Sequence, residues 1–104
     1  MTVVSAAFLS AVPEIPLAPG MQENAESTLI FDKPEGRIIA IEALTDRPTE
    51  EILSYYRAVL PNLGWAPSAK GWTRPNELKF LRSGEALDIR VEGGVVFFKL
   101  QPDS

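Results

Sequence analysis

Hydrophobic residues recur with two different periods along this chain, and each period predicts a different element. Between Ala86 and Glu92 apolar and charged residues alternate, and this period of two is typical of a half-buried β-strand. Between Ile52 and Leu63 the main apolar residues fall three or four positions apart, which predicts one apolar stripe on a helix. The pattern therefore predicts a protein that contains both strands and a helix.

Two apolar segments precede the helix and predict a β-hairpin. Thr28–Asp32 is short and apolar, Arg37–Leu44 is rich in isoleucine, and Lys33–Gly36 between them contains Pro and Gly. This composition predicts a hairpin loop of three to five residues. Because successive side chains of a strand point to opposite faces, Ile39 and Ile41 share a face, and we expect that face to lie in the core.

The predicted helix has signals at both ends. Asp46 or Thr49 is positioned to cap its first amide groups, and the glutamates that follow suit the positive end of the helix dipole. Pro61 lacks a backbone N–H, so we expect the helix to kink or end near Leu60. Gly64 then supplies a residue that can stop the helix.

Further strands fill the rest of the chain. The predicted segments are Trp65–Thr73, Asn76–Arg82, Ala86–Glu92 and Val95–Gln101. Pro67 and Gly71 interrupt the first segment, so an edge of the sheet suits it. Gly93 and Gly94 predict a two-residue hairpin loop, because both can adopt positive φ. The sequence therefore predicts an α+β fold with a single helix packed on an antiparallel sheet. The predicted order is strand, strand, helix, strand, strand, strand, with room for one more strand.

The chain of 104 residues predicts one domain preceded by an arm. Residues 1–27 are rich in proline and contain no basic residue, so they predict an N-terminal arm, and residues 28–104 predict the α+β domain. Residues 1–11 admit two interpretations: a truncated signal peptide, or a frayed tail or N-terminal strand. The first interpretation predicts a periplasmic or envelope location, and the second predicts a cytoplasmic one.

Composition excludes several classes of function. The net charge is −4, and the ten basic residues are spread among acidic ones, so the positive surface that nucleic-acid binding requires is missing. The sequence contains no cysteine and no histidine, which removes thiolate nucleophiles, cysteine-bound zinc and imidazole proton transfer. No apolar run approaches the roughly 18 residues of a membrane-spanning helix. We therefore expect a protein that is not an enzyme and that needs no cofactor or metal.

Residues 55–65, which read Tyr-Tyr-Arg-Ala-Val-Leu-Pro-Asn-Leu-Gly-Trp, carry a resemblance to a known family. They resemble the aromatic-Tyr-Arg and Leu-Pro-x-Leu-Gly-Trp signature of small, largely uncharacterised bacterial proteins, many of them from proteobacteria. The similarity extends over about residues 13–102 and includes a Pro-Gly segment before a strand hairpin. Members of that family often follow a signal peptide or lipid-anchor sequence, so the resemblance implies an envelope setting. It implies no reaction and no binding residues.

Aromatic residues supply the candidate interaction surface. Tyr55 lies at the flank of the helical stripe, and Trp72 lies in the interrupted edge segment. Phe97 and Phe98 are consecutive in a strand, so one of them faces away from the helix. Exposed aromatics of this kind are typical anchors for protein partners. The alternative is that the N-terminal arm folds back and covers them.

A second candidate site lies between the predicted helix and sheet. Tyr56, Trp65 and Phe80 would line a pocket there for a small ligand. The leading hypothesis from the sequence is an interaction or accessory module that binds an unknown protein partner or a second copy of itself. The alternative hypothesis is a small-ligand-binding domain.

Overall fold

A computed structural model describes residues 8–68 and 74–103 of the chain. The elements in chain order are β1 (Met21–Lys33), β2 (Gly36–Thr45), α1 (Thr49–Val59), a 3-10 helix (Leu60–Leu63), β3 (Ala66–Pro67), β4 (Glu77–Arg82), β5 (Glu85–Glu92) and β6 (Val95–Pro102). Two strands precede the helix and four follow it, which confirms the predicted α+β fold and its element order. Within the described ranges, no helix is both long and apolar enough to cross a membrane.

The six strands form one antiparallel sheet in the order β1-β2-β6-β5-β4-β3. The C-terminal strand β6 lies in the middle of the sheet, between β2 and β5, with Ile39 of β2 opposite Leu100 of β6. β1 and the very short β3 are the two edges. The interrupted segment predicted over Trp65–Thr73 therefore lies at an edge as expected, although its strand is limited to Ala66–Pro67 and residues 69–73 fall outside the described part.

One face of the sheet, the inner face, carries the core. Ile41, Phe98 and Ile89 lie side by side on β2, β6 and β5, and all three are buried. Helix α1 packs over this face near β4 and β5, and its buried side chains include Ile52 and Tyr56. The burial of Ile41 and its neighbour on the same face, Ile39, confirms the predicted orientation of β2.

The N-terminal arm provides the second cover of the inner face. Its buried apolar side chains are Leu9, Val12, Ile15 and Ala18. The Tyr56 hydroxyl on α1 donates a hydrogen bond of 2.7 Å to the carbonyl of Pro16, which fastens the arm beside the helix. The arm is thus part of the core, and strand β1 begins at Met21, so the predicted division at residue 27 falls inside β1. Residues 1–7, which belong to the segment with two interpretations, lie outside the described residues.

Both ends of the helix differ in detail from the prediction. Pro48 is the N-cap residue and no side chain caps the helix, so the predicted cap by Asp46 or Thr49 is wrong. Thr49 is already the first helical residue and cannot occupy the capping position. At the other end the chain tightens into the 3-10 helix, and Gly64 ends it in the left-handed conformation at φ 93°, as expected.

The first hairpin is tighter and longer than predicted. Lys33 pairs with Gly36, so the loop is a two-residue turn rather than one of three to five residues. Gly36 makes this close pairing possible because it adopts φ 144°, which side-chain-bearing residues avoid. The predicted Gly93-Gly94 loop is confirmed, with both glycines at positive φ.

Candidate functional site

The candidate site lies on the outer face of the sheet, which is the face opposite α1 and the arm. Within the described ranges no helix covers this face, and it contains a groove with a volume of about 480 Å³. That size falls within the roughly 300–1,000 Å³ that is usual for ligand sites. The side chains on its surface include Ser27, Leu29, Ala40, Glu42, Glu77, Asp88, Arg90, Phe97 and Lys99.

Two cross-strand rows build the floor of the groove. The Phe97 row runs from Glu42 on β2 through Phe97 on β6 and Arg90 on β5 to Glu77 on β4. The guanidinium carbon of Arg90 lies 4.4 Å from the centre of the Phe97 ring, which is a cation–π contact. Arg90 also forms an ion pair with Glu92, with 3.4 Å between the charged atoms. The row therefore presents an aromatic ring stacked under a cation and flanked by carboxylates.

The second row, the Lys99 row, places Ala40, Lys99 and Asp88 on β2, β6 and β5. Burial is the largest influence on Asp88 and raises the pKa of its carboxyl above the ordinary value, while nearby lysines oppose that rise. The side-chain amide of Gln101 donates a 3.4 Å hydrogen bond to Asp88. Asp88 is thus a partly desolvated acceptor, and the small side chain of Ala40 leaves room above the sheet next to Phe97.

Strand β1 forms the wall of the groove through a local irregularity. Residues 25–28 of β1 lie opposite a single residue of β2, Ile41, so the strand carries extra residues at this point. Extra residues of this kind bend a strand and turn its side chains. The hydroxyl of Ser27 donates a 2.9 Å hydrogen bond to the carbonyl of Asn24 and helps to hold the bend. Ser27 and Leu29 beyond it then flank the groove.

The structure separates the residues of the predicted interaction surface. Phe97 lies on the outer face and is half-buried in the groove, whereas Phe98 is 2% exposed and belongs to the core. Tyr55 lies on α1, on the opposite side of the sheet, with its ring edge-on to Tyr56 at 5.0 Å. Trp72 lies outside the described residues. Phe98 and Tyr55 are therefore not part of one surface with Phe97, because strand alternation and the position of α1 place them elsewhere.

The predicted ligand pocket between helix and sheet is filled by its own residues. Tyr56 and Phe80 are fully buried, and Trp65 is nearly so. The ring of Tyr56 packs edge-on against Phe98 at 5.6 Å, which closes the space between α1 and β6. These aromatics are core residues, and the groove lies on the opposite face of the sheet.

The residues that sequence reasoning missed are the small and charged ones. Asp88, Arg90 and Lys99 occupy the polar positions of alternating strands, where a solvated surface is the ordinary interpretation. Phe97 lies beside Arg90 through the β5–β6 hairpin, but the groove also needs Ala40 beside Lys99, and that pairing depends on β2 and β6 being neighbours. The sequence contains no local signal of that neighbourhood.

Acidic residues do not gather into a metal site in the described part of the chain, where no group of three or more potential ligands is placed to hold an ion. Comparisons with family models, with curated proteins and with solved structures found no match to this chain. The bacterial family resemblance and its envelope setting stay predictions. The signature residues Tyr56, Leu60 and Trp65 are buried, so packing alone explains them.

Proposed function

We propose that this protein is a non-enzymatic interaction module that binds a segment of a partner protein in the groove of its outer face. The observation that carries the proposal is the contrast between the two faces: α1 and the arm cover the inner face, and the outer face holds a half-buried aromatic in an open groove. Aromatic and arginine side chains are enriched at protein interfaces, and Phe97 and Arg90 form such a pair.

The charges around the groove suit a polypeptide ligand. Glu42 and Glu77 lie at the ends of the Phe97 row, Arg90 lies opposite Glu77, and Lys99 lies opposite Asp88. A surface with both signs of charge can pair with both signs on a partner, and the partly desolvated Asp88 can accept hydrogen bonds from backbone N–H groups. The Phe97 ring would supply the apolar contact at the centre.

Site-specific photo-cross-linking tests this proposal. A photoreactive phenylalanine analogue replaces Phe97 in one variant and the exposed Ser54 of α1 in a control variant, and each is expressed in the cells from which the gene comes. We expect a defined covalent protein adduct from position 97 that is absent from position 54. The Ala40→Phe substitution, which fills the groove, should abolish that adduct. Identical adducts from both positions, or persistence of the adduct in the Ala40→Phe variant, would contradict the proposal.

A small-molecule ligand is the second candidate occupant, because the groove volume of about 480 Å³ matches ordinary ligand sites. Native mass spectrometry of the protein recovered from its own cells separates the two functions. A bound mass of a few hundred daltons, present in the wild type and absent from the Ala40→Phe variant, would favour the small ligand. A clean protein mass together with a specific cross-link from position 97 would favour the protein partner.

A further inference from the structure

The free edge of β1 carries three consecutive exposed hydrophobic residues. The exposed fractions are 55% for Leu29, 56% for Ile30 and 55% for Phe31. Because alternate residues of a strand point to opposite faces, these side chains make both faces of the edge apolar. A long apolar edge strand is a template on which another strand can pair, and proteins that remain monomeric usually protect such edges with charge or proline. Neither interrupts this stretch of β1.

Hydrogen bonding within the sheet shows which backbone groups face the open edge. The N–H of Thr45 in β2 bonds to the carbonyl of Gly94 beside β6, at 2.9 Å. In an antiparallel sheet, successive residues direct their backbone groups to opposite neighbours. The odd-numbered residues of β2 therefore bond towards β6, and the even-numbered ones bond towards β1.

The same alternation continues into β1. Leu29 and Phe31 pair with even-numbered residues of β2, Ala40 and Ile38, so their backbone groups are directed into the hairpin. Ile30 lies between them and directs its N–H and C=O to the open edge. Asp32, which pairs with Arg37, does the same. At these two residues the edge thus offers backbone donors and acceptors next to apolar side chains.

We propose that a second copy of this chain pairs with this edge, antiparallel, about a two-fold axis at Ile30. In this register Ile30 lies opposite its counterpart, and Phe31 lies opposite Leu29 of the second copy. The axis is perpendicular to the sheet, so the inner faces of the two copies lie on the same side. The two sheets then form one continuous sheet. The two outer grooves then open on the same side, with Leu29 between each groove and the axis.

Backbone geometry and polarity select this register over its neighbours. An axis at Leu29 would place Ile30 opposite Thr28, which lies in the irregular stretch of β1, so the outward backbone groups of Ile30 would lose a regular partner. An axis at Phe31 would place the apolar Ile30 opposite Asp32. The axis at Ile30 pairs apolar residues with apolar residues and brings no like charges opposite each other. A surface that complements itself in this way is what a two-fold dimer requires.

Single cysteines test the register, since the natural chain contains none. In the proposed dimer the two copies of residue 30 form a hydrogen-bonded pair with Cα atoms about 5.5 Å apart, which is within disulfide range. The two copies of residue 32 are separated by four residues along the strand, roughly 13 Å. We expect Ile30→Cys to form a disulfide-linked dimer under mild oxidation and Asp32→Cys to remain a monomer. Equal cross-linking at both positions, or none at position 30, would overturn the proposal.

Reversible association of the unmodified protein provides the second test. Sedimentation of the wild type should show a monomer–dimer equilibrium, and Ile30→Lys should raise its dissociation constant at least about tenfold. Leu63→Lys is the matched control, because Leu63 is also exposed but lies in the 3-10 helix. The control should change the constant less than about twofold. A wild type that stays monomeric at roughly 100 µM, near the weak end of specific pairing, would overturn the proposal.

This inference does not rest on the proposed function of the groove. Ile30 is not among the groove-lining side chains, and Phe97 lies on β6, which β2 separates from the edge strand. Cross-linking from position 97 and dimer formation through position 30 can therefore succeed or fail independently. Loss of the dimer in Ile30→Lys with retention of the position 97 adduct would support both proposals as separate properties.

Discussion

The inner and outer faces of the sheet are built by the same strands and differ in what lies above them. On β6, Phe98 of the inner face is covered by α1, and the adjacent Phe97 of the outer face lies in an open groove. The helix and the arm together cover the inner face, and the described part of the chain offers no comparable cover for the outer one. Adjacent residues of one type can therefore lie in a packed core in one case and in an open groove in the other.

The largest expected difference between the faces comes from the adjacent phenylalanines. Phe98→Ala leaves a cavity beside Tyr56 and should lower the free energy of unfolding by about 3–5 kcal/mol. Phe97→Ala removes a half-buried ring and should cost less than about 1.5 kcal/mol, part of it from the contact with Arg90. Urea denaturation of both variants measures the difference. Equal losses would mean that the two faces contribute alike to stability.

The arm also distinguishes the two faces, because it covers the inner face together with α1. Leu9→Ala should lower the free energy of unfolding by about 2–5 kcal/mol, since Leu9 is fully buried. Leu44→Ala is the control for the outer face, and its cost should stay within about 0.5 kcal/mol because Leu44 is 50% exposed. Thermal or urea unfolding compares the two. A Leu9→Ala variant as stable as the control would show that the arm adds little to the core.

The smallest expected effect comes from Asp88 and depends on pH. Burial raises the pKa of this carboxyl above 3.8, so the folded state favours its protonated form. This preference stabilises the folded state fully at pH values below 3.8. The stabilisation is lost as the pH rises through the raised pKa of Asp88. The wild type should therefore lose stability relative to Asp88→Asn over that interval. Water screens the partly exposed group, so the change should be small.

Urea titrations of both proteins at about pH 3 and about pH 6 measure the change for Asp88. The Asn variant keeps the size of the side chain and removes its titration. A difference between the two proteins that does not depend on pH would show that Asp88 ionises as it does in the unfolded chain.

Local patterns in the sequence were sufficient for the strands, the helix and their order. The alternation around Ile39 and Ile41 placed the correct face of β2 in the core, and the glycines at 93 and 94 identified a hairpin. The same reasoning could have separated the two phenylalanines. Lys99 and Gln101 share a face with Phe97, and their polarity indicates that this face is the outer one.

Local patterns in the sequence could not predict the candidate site. The groove depends on the pairing of β2 with β6 and on the irregular stretch of β1, and neither is encoded within one short window of sequence. Whether the arm folds back over the domain was left open for a related reason. Prolines in residues 13–19 indicate an extended segment, but its burial depends on a surface made by residues far along the chain, such as Tyr56.

The central position of β6 has a consequence for how the chain folds. Ile39 and Leu100 are partners in the sheet although 61 positions of the chain separate them. Bringing such distant segments together costs loop-closure entropy before any contact repays it. We therefore expect the β1–β2 hairpin and the β4–β5–β6 meander to form early, and their junction to set the folding rate. A gene divided between Thr45 and Thr49 would yield two complementary fragments whose spontaneous reassembly reports directly on that junction.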